Sequence, residues 1–510
     1  MPPRPLLVPA LALALALCGC RAAAPAPDRV VIVYPVGPAS LDPDAAGEEF
    51  AISILGNVYE PLVDLDRALA VRPGLASSWY TRDDHTWVFG LRPGLRLHDG
   101  RPLTAQDVAR SLERSRTDPA SRRQGELTAV ERVEAEDART VLVRTRFPFA
   151  AIPNRLATVP ISVPAAAAND PPLGTGPYRV RSWTPKADVE LEAWNGYRDG
   201  PPAVHTLVFR AVGKVEHRVD LLRRGQAHLM VDVPSESLAE LRTAGLRTPS
   251  QKGLRVLSLV MDTARERSPD VSTPRNPFRD VRVRRALALA LDRPALVAEA
   301  LGGEAEVVDQ IVAPSVFGAF EDLKRLPFDP AESRRLMGAA GYAAGFTVTL
   351  DYMPGRYPGI DPLVRLLRAQ LEAVGIRLTP RPWETHEFFA RTARRETAFH
   401  LLGWMSTSGD AGATYDFLVH SPGGGYGTQN AGGYANPEAD RLIEAAAHQL
   451  DPAERLKILH AVAERIQADL PLIPLYRQTD LYAVAPDLEF EPRVDRRIRG
   501  TQLRFRDRDR

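Results

Sequence analysis

Short apolar runs alternate with amphipathic stretches along most of the chain. Val30 to Tyr34 is a β-branched run that ends at Pro35, which predicts a buried strand. Leu363 to Val374 places apolar residues at helical spacing, stops at Gly375, and is followed by a strand-like run from Ile376 to Leu378. This alternation of strands and helices favours an α/β fold with mixed sheets.

Capping residues mark where several of the helices begin. Thr104–Asp107 has the spacing of a capping box, in which the two side chains bond reciprocally to backbone N–H groups. Asp329–Glu332 and Asp451–Glu454 each combine an N-cap Asp, a Pro at the first helical position and a Glu three residues after the cap. The sequence therefore predicts helix starts at these three places.

The N-terminus resembles an export signal. Leu6 to Leu17 is an apolar stretch that is too short for a membrane-spanning helix but suits the apolar region of a signal peptide. Leu17–Cys20 resembles a bacterial lipobox, in which the final Cys becomes the acylated N-terminus of the mature protein. We expect a signal peptide over 1–19, a lipid on Cys20, a tether over 20–28 and an extracytoplasmic, membrane-anchored protein in the periplasm or at the cell surface. The alternative is an ordinary signal peptide with an incidental Cys.

Composition narrows the possible chemistry. The chain contains two Cys, both near the N-terminus, so a mature protein that begins at Cys20 has no disulfide, cysteine metal site or cysteine nucleophile. The formal net charge is only +1, so the chain lacks the excess of positive charge that is typical of nucleic-acid-binding proteins. Hydrolase motifs such as Gly-x-Ser-x-Gly, Ser-x-x-Lys and His-Glu-x-x-His are absent, as is the phosphate-binding Gly-x-x-x-x-Gly-Lys. We therefore expect no enzyme activity, no catalytic residues, no bound metal and no cofactor.

A series of short motifs runs in order from about residue 30 to about residue 481. The motifs are Ser40–Pro43, Asn57–Leu62, Pro73–Trp79, Phe89–Glu113, Gly174–Tyr178, Trp194–Tyr197, Arg279–Arg293, Asn436–Glu438 and Pro471–Tyr476. Together they resemble the motifs of the extracytoplasmic solute-binding proteins that serve oligopeptide, dipeptide and nickel ABC importers. The resemblance covers nearly the whole predicted mature chain.

The resemblance implies a two-lobed clamshell of the periplasmic-binding-protein type, with mixed sheets and an extra domain inserted in lobe one. The implied ranges are 29–56 with 174–262 and 481–505 for lobe one, 57–173 for the extra domain and 263–480 for lobe two. Two strand crossings, near 257–262 and 475–481, would form the hinge. Such a protein closes when its ligand contacts both lobes, because only differential affinity for the closed state can drive closing.

The same resemblance implies a function and partners. A monomeric lipoprotein would capture a short peptide between its lobes and deliver it to permease subunits, with the ATPases supplied in trans. Backbone hydrogen bonds to an extended peptide give affinity without side-chain selectivity. A nickel chelate, an oligosaccharide, an opine or a glutathione-like solute are alternative ligands, and a surface solute sensor or adhesin without transport is an alternative role.

Candidate ligand-binding residues come from matching positions of the family. The loop after the opening motif faces the ligand, a later segment of dipeptide binders places Arg and Tyr near the ligand carboxylate, and a Gly-Trp segment of lobe two pairs with the peptide backbone. The corresponding residues are Gly47, Glu48, Glu49, Phe50, Arg356, Tyr357, Trp404 and Met405.

One position departs from the peptide-binding pattern. Peptide binders usually carry an Asp three residues after this Trp, where it holds the α-amine, but the residue here is Thr407. The segment after Trp404 is also longer than usual, so Asp410 is the candidate for the amine-binding role. Glu48 and Glu49 are the alternatives for this role. Without any such carboxylate a free peptide amine loses its counter-charge, which favours the non-peptide alternatives.

Overall fold

The structure is a computed structural model that describes residues 28–47, 49–165 and 172–506. The predicted signal peptide, the lipidation site Cys20 and the candidate ligand residue Glu48 lie outside the described residues.

The described chain alternates strands and helices. The strands are β1 (Arg29–Tyr34), β2 (Glu60–Pro61), β3 (Val63–Leu65), β4 (Val71–Pro73), β5 (Ala76–Asp83), β6 (Thr86–Leu91), β7 (Val130–Ala135), β8 (Thr140–Thr145), β9 (Pro160–Ile161), β10 (Tyr178–Trp183), β11 (Val189–Ala193), β12 (Thr206–Ala211), β13 (Leu229–Val231), β14 (Ser250–Met261), β15 (Ala305–Val307), β16 (Phe346–Tyr352), β17 (Ile376–Pro382), β18 (Phe399–Met405), β19 (Leu472–Val484), β20 (Leu488–Glu489) and β21 (Arg504–Phe505). The α-helices are α1 (Glu49–Leu55), α2 (Ala105–Thr117), α3 (Ile152–Leu156), α4 (Val215–Arg223), α5 (Leu238–Thr243), α6 (Val281–Leu289), α7 (Arg293–Leu301), α8 (Pro330–Ala339), α9 (Ile360–Glu372), α10 (Thr385–Ala393), α11 (Ala411–Leu418), α12 (Pro437–His448) and α13 (Pro452–Asp469).

The predicted helix starts are confirmed. Thr104 accepts a hydrogen bond from the Asp107 backbone, and the Asp107 carboxylate accepts one from the Thr104 backbone, so α2 begins with a capping box. Asp329 caps α8 and Asp451 caps α13. Local sequence decides these ends because the capping partners are within one helical turn of each other.

The largest sheet runs through both lobes. Its strand order is β10-β11-β12-β1-β13-β19-β14-β18-β16-β17, with β15 paired to β19 outside this path. β1 is parallel to β12 and β13, and β16 is parallel to β17 and β18, whereas the other pairs are antiparallel. The sheet is therefore mixed, as predicted from the sequence. We refer to the part from β10 to β13 as the first lobe and the part from β14 to β17 as the second lobe.

Strand β1 is buried on both faces, which explains why its sequence is almost wholly apolar. Val30, Ile32 and Tyr34 join one buried cluster, and Val31 and Val33 join another. Successive side chains of a strand point to opposite faces, so both faces of the first lobe's sheet are covered by packed elements.

Two neighbouring antiparallel strands connect the lobes. β19 pairs with β13 through Tyr482–Val484, and with β14 through most of its earlier residues. β14 pairs with β18 through Arg255–Met261, and its ladder with β19 is interrupted between Lys252 and Val256. This interruption lies N-terminal to the stretch 257–262, where the sequence predicts one of the two lobe crossings, and the position of that crossing stays a prediction. The exact domain ranges stay a prediction.

The residues predicted as the extra domain carry a sheet of their own. Four antiparallel strands in the order β5-β6-β8-β7 form it, and α2 packs against β7 and β8. One apolar cluster joins this sheet to the second lobe, and it includes Leu69 and Phe149 together with Tyr415 and Leu418. The extra domain therefore packs against α11 of the second lobe.

Arg155 is a buried cation at the same contact. Its guanidinium lies 3.1 Å from Glu126, 2.6 Å from Asp416 and 4.7 Å from the ring centroid of Phe417, and its side chain is only 2% exposed. Burial raises the pKa of Asp416, although the charge of Arg155 opposes this effect. The pair links α3 of the extra domain to α11 of the second lobe.

None of the helices in the described ranges combines the length and the apolar character that crossing a membrane requires.

Candidate functional site

A cleft with a cavity of about 230 Å³ lies where the two lobes and the extra domain meet. Residues of helices, strands and loops from all three parts form its walls. Most of the candidate residues predicted from the sequence line it, namely Gly47, Glu49, Phe50, Arg356, Tyr357, Trp404, Met405 and Thr407. The fold thus brings together residues that are more than 300 positions apart in the chain, while their role in binding stays a prediction.

Glu49 begins α1 at the mouth of this cleft and is held by two arginines. Its carboxylate forms ion pairs with Arg255 of β14 and with Arg496, the latter at 2.6 Å. Burial opposes ionisation of Glu49, but the charges of Arg496, Arg255 and Arg356 outweigh burial and lower its pKa to about 2. Glu49 is therefore ionised, and it links the first lobe to a strand of the second.

Arg496 also contacts two further carboxylates behind Glu49. It forms an ion pair with Asp232 and lies 3.3 Å from Asp480 of β19. Burial raises the pKa of Asp480 to about 7, although Arg496 and Arg255 lower it. The cluster thus contains a carboxyl group at the hinge strand that ionises near neutral pH.

This raised pKa predicts a pH dependence of stability. A carboxyl group with a folded-state pKa near 7 and an unfolded-state pKa of about 4 binds more protons in the folded state between these values, so stability falls as pH rises through this window. Compared with Asp480→Asn, the wild type should lose stability from about pH 4 to about pH 7 and then stay level. Urea denaturation across this range measures the difference, and parallel profiles for the two proteins would contradict the assignment.

The end of β18 presents backbone groups to the cleft. Gly403 donates its N–H to the hydroxyl of Tyr357, 3.0 Å away, on the side of the strand opposite β14. On that side β16 pairs with β18 only at His400, so within the described chain Gly403 and Met405 have no strand partner there. Because the N–H and C=O of a strand residue point to the same side, the Gly403 carbonyl and the Met405 N–H face this open edge.

Trp404 is fixed by contacts on its far side. Its indole N–H donates to the hydroxyl of Thr414 at 3.2 Å, and its ring lies 5.9 Å from that of Phe417. Met405 also has a defined place, because its sulfur accepts a hydrogen bond from Arg255 at 3.2 Å. Both residues line the cleft, and Phe389, which is 41% exposed, lines it as well.

Arg356 carries a charge without a carboxylate partner. Its guanidinium lies 5.8 Å from the ring centroid of Tyr357, and no carboxylate of the described residues forms an ion pair with it. Its Nε is buried and has no hydrogen-bond acceptor in the described part of the chain. A guanidinium can form two parallel hydrogen bonds with a carboxylate, and a role of Arg356 in ligand binding stays a prediction.

Asp410 occupies a different environment from the one we expected. Its side chain is buried and does not line the cleft. Both of its oxygens accept hydrogen bonds from Arg455, one at 2.8 Å, and one oxygen also accepts from the N–H of Gly412 to cap α11. This carboxylate is fully engaged within the protein, so we leave Asp410 out of the proposed ligand contacts. Thr407 remains at the cleft, and its N–H donates to the carbonyl of Met405.

Sequence reasoning missed several charged residues of the cleft. Arg123 comes from the extra domain, Arg255 from β14, and Arg496 and Arg497 from a segment near the C-terminus. A run of arginines after residue 492 was visible in the sequence, but nothing local indicated that it folds back to the cleft. In the described ranges, no group of three or more His, Cys, Asp or Glu residues is arranged to hold a metal ion.

Comparisons with known proteins agree on one family. Residues 70–426 match the family model described as bacterial extracellular solute-binding proteins, family 5 middle. The glutathione-binding protein GsiB of Escherichia coli O1:K1 is 27% identical over 453 residues, which cover 86% of each protein.

Solved structures show the same architecture. The periplasmic binding protein DppA of Helicobacter pylori, in complex with the peptide STSA, superposes with a TM-score of 0.80 at 21% identity and covers 94% of this chain and 98% of its own. AgaA of A. tumefaciens R10, in complex with agropinic acid, has a TM-score of 0.80 at 22% identity and covers 94% and 99%. These likenesses confirm the predicted two-lobed fold. The chain belongs to family 5 of the bacterial extracellular solute-binding proteins, which bind substrates of ABC importers and are not enzymes.

Proposed function

We propose that this protein captures a short peptide in the cleft and delivers it to the permease subunits of an ABC importer. It acts as a monomer outside the cytoplasm, held at the membrane by a lipid on Cys20, while separate ATPase subunits power transport. Membership of family 5 supports delivery of a small solute, and the complex of DppA with a peptide supports a peptide as cargo.

The open edge of β18 is the observation that carries the proposal of a peptide. An extended peptide that lies along this edge can accept a hydrogen bond from the Met405 N–H and donate one to the Gly403 carbonyl. This pairing resembles the addition of a strand to a sheet, which recognises backbone and tolerates varied side chains. A sugar or a metal chelate cannot repeat such a pattern along its length.

Arg356 gives the peptide a direction. A guanidinium binds a carboxylate through two parallel hydrogen bonds, so Arg356 suits the C-terminal carboxylate of the peptide. Contacts to the first lobe through Phe50 and to the second lobe through β18 then depend on the closed arrangement of the lobes. Closing follows because the ligand interacts with both lobes only in that state.

A glutathione-like solute or an opine is a second candidate, and the ligands named for GsiB and AgaA favour it. The carboxylates that line the cleft are already paired, Glu49 with two arginines, Glu126 with Arg155 and Asp495 with Arg493. A free α-amine, which peptides and glutathione both carry, therefore finds no unpaired carboxylate among the described lining residues. The GsiB relative binds glutathione by name, which supports the same class.

Thermal unfolding of the purified protein tests the proposal. A ligand that binds only the folded state stabilises it by mass action and so raises the melting temperature. At a ligand concentration of a hundred times Kd, the added free energy of unfolding is about 2.7 kcal/mol. We expect stabilisation by members of a library of di- to pentapeptides, with glutathione, an opine, an oligosaccharide and nickel-histidine as comparison arms. If no peptide raises the melting temperature and one of the comparison ligands does, the proposal of a peptide ligand is wrong and that comparison ligand takes its place.

Arg356→Gln should weaken binding of the best peptide of this library by about tenfold to about a hundredfold. The reason is that a hydrogen-bonded charge pair contributes roughly 1.5–3 kcal/mol, and about 1.4 kcal/mol corresponds to a factor of ten. Calorimetric titration measures the change. Arg368→Gln, which removes an exposed arginine of α9, is the control and should bind as the wild type does. Equal affinity of the Arg356 variant would remove this residue from the site.

A further inference from the structure

A second cavity adjoins the cleft. It lies between the first lobe and the extra domain, has a volume of about 470 Å³ and is thus larger than the cleft itself. The two cavities share one wall, which is formed by Ile52, Ser53, Arg123, Thr158 and Arg497. Two arginine side chains, those of Arg123 and Arg497, therefore stand between the cleft and the second cavity.

Arg123 is the first of these arginines. It donates hydrogen bonds to two backbone carbonyls, from Nε to Pro43 at 3.2 Å and from Nη2 to Ala46 at 2.8 Å. These bonds fix the guanidinium plane but bring no negative charge. No ion pair joins Arg123 to a carboxylate within the described part of the chain, and its Nη1 has no acceptor there.

Arg497 is the second, and its charge is only weakly compensated. Its Nε lies 3.9 Å from Asp495, and its side chain is 14% exposed. Asp495 is already bound by Arg493 through two hydrogen bonds of 2.8 and 2.7 Å. Among the described residues, the one carboxylate that forms an ion pair with Arg497 is therefore shared with a better placed arginine.

The two arginines also act on each other. Burial lowers the pKa of Arg123, the charges of Glu126 and Asp44 oppose this effect, and the charge of Arg497 adds to it. Burial likewise lowers the pKa of Arg497. Like charges that approach each other away from bulk water raise the free energy of the site, and an anion between them removes that cost.

We propose that Arg123 and Arg497 form a second anion subsite, which binds a ligand carboxylate other than the one held by Arg356. This inference rests on the proposed function and narrows its ligand class to short peptides with at least two carboxylates. The second carboxylate belongs to an Asp or Glu side chain or to a γ-glutamyl residue.

A matched pair of peptides tests the subsite in the wild-type protein. Ala-Glu-Ala and Ala-Gln-Ala differ by one charge at nearly constant shape, and calorimetric titration gives the affinity for each. We expect the Glu peptide to bind at least about tenfold more tightly, because hydrogen bonds to charged groups are roughly twice as strong as neutral ones. Equal affinity for the two peptides overturns the subsite and leaves the proposed function intact, whereas binding of neither peptide overturns both.

Variants assign the preference to these residues. Arg123→Gln and Arg497→Gln should each reduce the preference for the Glu peptide over the Gln peptide to below about threefold. Arg110→Gln removes an arginine of α2 whose side chain is 68% exposed, and it should keep the full preference. If Arg123→Gln and Arg497→Gln also keep the full preference for the Glu peptide, the second carboxylate binds elsewhere and the proposal is wrong.

Discussion

Arg155→Ala is expected to destabilise the protein by about 3–5 kcal/mol, the usual cost of removing one partner of a buried ion pair. Two carboxylates, those of Glu126 and Asp416, then lose their counter-charge in a water-excluded contact. Burial already raises the pKa of Asp416 in the wild type, and loss of the guanidinium raises it further. The rings of Phe149 and Phe417 also lose their cation contacts.

Urea denaturation measures this effect, and its pH dependence identifies the cause. A carboxyl group with a raised pKa in the folded state costs more stability as pH increases, because the unfolded state ionises freely. The deficit of the Arg155 variant should therefore be smaller near about pH 5 than near about pH 8. Arg132→Ala, at an arginine whose side chain is 52% exposed and pairs with Glu134, is the control and should cost less than about 1 kcal/mol. A deficit for Arg155→Ala that is equally small would show that the contact is dispensable.

Asp410→Ala is expected to cost about 3–5 kcal/mol as well, without a specific effect on ligand binding. The carboxylate neutralises Arg455, whose side chain is 7% exposed, and caps the first turn of α11. Both functions are structural, so the loss should appear in the urea midpoint. The affinity of the folded variant for the best library peptide should stay within about threefold of the wild type.

Asp410→Asn separates the two possible roles of this residue. The amide keeps an oxygen for Arg455 and for the cap, so the loss of stability should be smaller than that of the Ala variant. Calorimetric titration of the Asn variant is then the decisive measurement. Near-normal stability combined with lost peptide binding would show that the carboxylate serves the ligand after all.

Local patterns in the sequence were sufficient for part of the fold. The capping box at Thr104–Asp107 and the caps at Asp329 and Asp451 have all their partners within a few residues. The two-lobed architecture followed from ordered motifs rather than from periodicity, because strand order depends on pairs such as β1 with β12, which are far apart in the chain. The crossing of β14 could not be located to the residue, since register in a long ladder is set by contacts of both lobes.

The cleft was predictable where the family supplied a matching position. Arg356, Tyr357 and Trp404 were found in this way and do line the cleft. Arg123 and Arg497 were not, because their importance comes from missing counter-charges, and the sequence does not reveal which acidic residues are already paired. Asp410 illustrates the same difficulty, because its partner Arg455 is 45 residues away on another helix.

The apolar cluster shared by the extra domain and the second lobe has a thermal consequence. Any motion that separates these two parts must expose side chains such as Leu69 and Leu418 to water. The free energy gained by burying apolar surface declines on cooling. Cooling should therefore shift the equilibrium between the closed and open conformations towards the open one. At low temperature a bound ligand should then dissociate faster than its own contacts with the protein would predict.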